Sequence, residues 1–88
     1  MLVTGGPRPL RAKDAYRLIV TRGGRAPAFF ADPGRVDHVE IVEIESGEAA
    51  LFWDRPPHAA SRLARAIRED LNSMDAEEFR ARWSTVES

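Results

Sequence analysis

The stretch DHVEIVEIESGEAALFWD, residues 37–54, decides how this chain folds. Two runs rich in β-branched and aromatic side chains, Val39 to Glu45 and Ala49 to Trp53, flank Ser46-Gly47. A glycine beside a small polar residue supplies the positive φ of a tight turn, so the stretch reads as a β-hairpin. Within the first run the apolar positions are Val39 and Ile41, then Val42 and Ile44, so the alternation changes phase between Ile41 and Val42. Such a change means either a bulge or a strand with apolar side chains on both faces. The second run favours the latter, because Leu51 and Trp53 point one way while Ala50 and Phe52 point the other. Two such neighbours predict a sheet covered on both sides.

Working outward toward the C-terminus, Asp54-Arg55-Pro56-Pro57 ends the strand and opens a helix, since a first helical turn tolerates proline. Ala60, Leu63, Ala64, Ile67, Leu71 and Met74 recur at helical spacing as one apolar stripe. A second helix begins at Asp75, which has Glu78 three residues on as a capping box, with Met74 and Phe79 as a hydrophobic staple.

Toward the N-terminus, Tyr16 to Arg22 alternates as a strand, and Gly23-Gly24 follows as a hairpin link. The run from 26 to 31 is a weaker strand because Pro27 cannot donate to a ladder. Phe29 and Phe30 send one ring to each side of an extended backbone, and Asp32-Pro33-Gly34 then turns the chain. Residues 1–13 contain Gly5-Gly6 and the prolines Pro7 and Pro9, and read as a flexible basic arm. Gly5-Gly6 is not a phosphate loop, because no Gly-Lys-Ser/Thr follows. The predicted fold is therefore α+β: an antiparallel β-meander of three or four strands, near 16–22, 26–31, 37–45 and 48–54, then two helices packed on one face. The domain runs from 14 to 88.

The chain has 88 residues and a net charge of −1, enough for one domain with a thin core. There is no cysteine, which excludes disulfides and thiolate chemistry and fits a reducing cytoplasm. No apolar run is long enough to cross a membrane and no signal-peptide pattern opens the chain, so the expected location is cytoplasmic. Arginine supplies 12 of the 13 basic residues, first of all the mark of a GC-rich, bacterial coding sequence. Residues 1–35 carry seven cations against two acids, a net of +5, whereas the remainder carries six against twelve, a net of −6.

The inventory for chemistry is poor. His38 and Glu40 share a strand face but no third ligand follows at a metal-site spacing, so a hydrogen-bonded or solvated histidine is the better reading. His58 sits at a helix start where Pro56 and Pro57 remove two of the donors that bind anions. Glu40, Glu43, Glu45 and Glu48 occupy the ordinary exposed positions of a strand and turn, and Trp53 and Trp83 are core positions before they are stacking platforms. No catalytic, cofactor or metal residues are assigned, and an enzyme is not expected.

Two function classes remain. The first is a non-enzymatic protein-interaction or accessory module, a homodimer built through its sheet, because two helices cover one face of a sheet and not two. Its expected contacts are Ile19, Phe29, Phe30, Val42, Ile44 and Phe52. The alternative is a nucleic-acid-binding module using Arg8, Arg11, Lys13, Arg17, Arg22 and Arg25. Cations spread without clustered runs are more often a solvated face, so this reading stands second.

Overall fold

A computed structural model describes residues 10–23 and 35–87. Its elements follow in the order α1 (Ala12–Ala15), β1 (Tyr16–Thr21), β2 (Asp37–Glu43), β3 (Ala49–Arg55), α2 (Pro57–Ser73) and α3 (Ala76–Trp83). The three strands form an antiparallel sheet in the order β1-β2-β3, and the helices lie on one of its faces. This is the α+β meander expected; the proposed strand at 26–31 lies outside the described residues.

The central hairpin forms as its composition demands, although its loop is longer than the Ser46-Gly47 pair alone. Glu43 N–H donates to the Glu48 carbonyl at 2.9 Å, and Gly47 N–H to the Glu43 carbonyl at 2.8 Å, which encloses Ile44 to Gly47. Gly47 has φ +75°, the left-handed backbone that the turn requires. A second glycine is fixed by close approach, because a Cβ on Gly23 would lie 1.9 Å from the Val36 carbonyl oxygen.

The phase change is resolved by a register shift. Ile41 pairs with Leu51 but Val42 with Ala49, so the extra residue is Ala50, on β3 rather than on β2. β2 itself alternates without a break: Asp37, Val39 and Ile41 are buried beneath the helices, while His38, Glu40 and Val42 face the other way. Ile44 lies past the strand in the exposed turn. The phase change is thus a bulge rather than a β2 strand apolar on both faces, and among the described residues the helices cover one face of the sheet, as expected.

On that face Val39, Ile41, Trp53, Ile67, Phe79 and Trp83 form the core, closed by Ala12, Ala60 and Leu71 and rimmed by Tyr16, Leu18, Leu51, Leu63 and Met74. Trp53 and Trp83 meet edge to face with centroids 6.0 Å apart, the arrangement their ring quadrupoles favour. Each indole N–H is satisfied, Trp53 by the Val86 carbonyl at 3.2 Å and Trp83 by Asp70 at 3.1 Å. The apolar stripe of α2 is seated as its spacing predicts, with Ala60, Ala64, Ile67 and Leu71 buried. Asp75 caps α3 by accepting from Glu78 N–H at 2.9 Å, and Glu78 returns a bond to Asp75 N–H.

The N-terminal boundary moves. Ala12 is fully buried, and Leu10 to Ala12 runs antiparallel to the link between α2 and α3. Ala12 N–H donates to the Met74 carbonyl at 3.1 Å and Ala76 N–H to the Leu10 carbonyl at 2.7 Å. A two-helix link leaves backbone groups unpaired, and this segment supplies their partners. Residues 10–13, assigned to the arm on composition, belong to the domain; residues 1–9 lie outside the described residues.

Candidate functional site

Two surfaces carry the side chains that the sequence singled out. The first is the open face of the sheet. Strand alternation brings Arg17, Ile19 and Thr21 of β1 beside His38, Glu40 and Val42 of β2, and these beside Phe52 and Asp54 of β3. Ile19 is opposite Glu40, and Glu40 opposite Phe52, so one row crosses all three strands. Ile19 is 38% exposed and Phe52 44%. His38 stacks on Phe52 with centroids 5.6 Å apart, and its Nδ1 bonds Asp54. Ile19, Val42 and Phe52 are therefore brought together; Ile44 is separated from them in the turn, and Phe29 and Phe30 lie outside the described residues.

The second surface is a recess between the edge of β1 and the flank of α2. α2 can lie close to the sheet because Ala60 and Ala64 present methyl groups there. The recess has two parts that meet at Arg68: a cavity of about 390 Å³ lined by Val20, Arg22, Asp37, Ala60, Ser61, Ala64 and Arg65, and one of about 300 Å³ lined by Lys13, Tyr16, Arg17, Ile44, Leu71 and Asn72. Arg11 closes the far end, its guanidinium donating to the Asn72 carbonyl at 3.2 Å. Four of the nucleic-acid candidates, Arg11, Lys13, Arg17 and Arg22, thus gather along one seam; Arg8 and Arg25 lie outside the described residues. Arg65 and Arg68 join them from α2. Sequence reading left these two out because they are far away in the chain, although their spacing of three does place them on one helix face.

Asp37 sits at the end of this recess and is the one acid lining it, 1% exposed. Its Oδ1 accepts from Gly23 N–H at 3.0 Å and from Arg35 at 3.2 and 3.3 Å, and its Oδ2 lies 3.6 Å from Arg22. Burial pushes this carboxyl upward, but the Gly23 amide and the Arg35 and Arg22 guanidiniums outweigh it, so it titrates below the ordinary aspartate range.

Among the described residues no group of three or more His, Asp or Glu side chains could hold a metal ion. His58 is exposed at the start of α2. No helix of the described residues is long and apolar enough to cross a membrane. No family model, curated protein or solved structure matches this chain.

Proposed function

We propose that this chain is a non-enzymatic interaction module that self-associates through the open face of its sheet. The observation that carries this reading is the set Ile19, Val42 and Phe52, one apolar side chain from each of the three strands, grouped about Glu40 on the face that the helices leave open. A second copy suits the face because its charges are self-complementary. Arg17 and Asp54 stand at diagonal corners, and a two-fold axis across that diagonal sets each Arg17 against the other copy's Asp54. Three strands and about six residues make a face roughly 14 by 20 Å. That is smaller than the roughly 800 Å² per partner of a standard interface, so the association is weak and concentration-dependent.

Light scattering after size exclusion tests this. The mass is expected to rise toward that of a dimer as the concentration is raised into the high micromolar range, and Phe52→Ser to hold it at the monomer value. A monomeric mass unchanged on tenfold concentration overturns the reading.

A further inference from the structure

We infer that the recess between β1 and α2 binds single-stranded nucleic acid through its phosphate backbone. It adjoins the open face at Arg17, which belongs to both, and does not include Ile19 or Phe52.

Charge is the first ground. Lys13, Arg17, Arg22, Arg65 and Arg68 line the two joined cavities, with Asp37 as the lone acid. Among the described residues Arg22 is the only one of these five with a carboxylate within ion-pair distance, and that carboxylate is Asp37. Asp37 is spent on Arg22, Arg35 and the Gly23 amide, and its Oδ2 is closed to solvent. It therefore anchors Arg22 at the rim without presenting a negative surface to a ligand. The cations of the recess are left facing solvent.

Donor chemistry is the second. Guanidiniums, one ammonium and the Ser61 hydroxyl line the recess, so its side chains are rich in donors and the one carboxylate is inward. A phosphodiester chain is the complementary ligand, since its anionic oxygens accept and never donate.

Shape is the third. The cations follow a line from Arg11, beside Asn72, past Arg68 to Arg22, along a strand edge that spans about 20 Å. They line a concave seam between a strand and a helix, where a flexible single strand can lie. Readers of duplex sequence insert a helix or a two-stranded ribbon into the major groove, and this seam presents neither. Tyr16, half-buried and stacked on Phe79 at 5.5 Å, lines the recess and gives a base one aromatic surface beside the charged track.

The experiment is fluorescence anisotropy with a labelled oligothymidylate, titrated over a range of salt. Neutralisation of about four phosphates predicts a slope of log affinity against log salt near −3, because each contributes roughly −0.7 on single strands. The variant carrying both Arg65→Ala and Arg68→Ala alters two exposed side chains and leaves the core untouched. It is expected to bind about tenfold more weakly at low salt, with a slope flatter by about 1.4. Arg82→Ala, which removes one charge from α3, away from the recess and paired with Asp70, is expected to leave the slope unchanged. Circular dichroism of each variant checks the fold, and Lys at both positions is expected to restore most of the binding. Any of three results overturns the inference: no binding at low salt, binding indifferent to the double variant, or tighter binding of poly-glutamate or of duplex DNA than of the single strand. Arg17 stands in both proposals and is kept intact throughout, so the double variant tests the recess through Arg65 and Arg68 alone, while Phe52→Ser tests the dimer without altering the recess.

Discussion

The two faces of the sheet are cut from the same strands and differ in everything else. Under the helices stand Val39, Ile41 and Trp53, all sealed from water. On the open side stand Ile19, Val42 and Phe52 among Arg17, Thr21, His38, Glu40 and Asp54, with Phe52 shared between a histidine ring and solvent. Backbone geometry alternates side chains between faces but assigns neither face a role. The difference arises because α2 and α3 have apolar stripes to bury and sit over one side only. A substitution on the covered face therefore tests folding, and one on the open face tests the proposed association.

That contrast can be broken most directly at Ile41, which is fully buried in the centre of β2. Ile41→Ala is expected to destabilise by about 2–5 kcal/mol through lost burial and a residual cavity. Chemical denaturation measures it, and a loss under about 1 kcal/mol would mean that the covered face is not the true core.

The next largest effect belongs to Asp37, the polar member of the buried face. Its carboxyl titrates below the ordinary value of about 3.9 for an unfolded aspartate. The stability it contributes is thus complete above that unfolded value and is lost as pH falls through the lower folded value. Thermal melts of the wild type and of Asp37→Asn are expected to differ near neutrality and to converge in acid. A constant difference down to pH 2 would show that the ion pairs with Arg22 and Arg35 contribute nothing.

Asp75→Ala removes the cap of α3 and is expected to cost about 1 kcal/mol. Because Phe79 and Trp83 carry α3 onto the core, the melting temperature is the readout; no change would place the helix start elsewhere.

Phe52→Ser is expected to have the smallest effect on folding, within about 0.5 kcal/mol, since it alters an exposed side chain. A loss as large as that of Ile41→Ala would mean that the open face is covered by the chain itself, and would erase the distinction between the faces.

Local signals were legible without coordinates. The hairpin followed from β-branched runs around Ser46-Gly47, and the φ of +75° at Gly47 is the conformation that glycine was read to supply. The capping box at Asp75 and the stripe from Ala60 to Leu71 depend on residues three or four apart, whose relation is fixed once a helix forms.

Tertiary structure decided what those local pieces meant to one another. The sequence located the phase change at Ile41 and Val42 but could not say that β3 would absorb it at Ala50, because register is a property of two strands. Composition placed residues 10–13 in an arm, yet Ala12 is sealed in the core, since backbone groups at the α2–α3 link bond to it and nothing in its own sequence announces that need. Arg11, Lys13, Arg17 and Arg22 were a diffuse excess of charge along the chain. They became one seam with Arg65 and Arg68 when α2 was laid against the edge of β1, about half the chain away, because charge acts through space and sequence records only order.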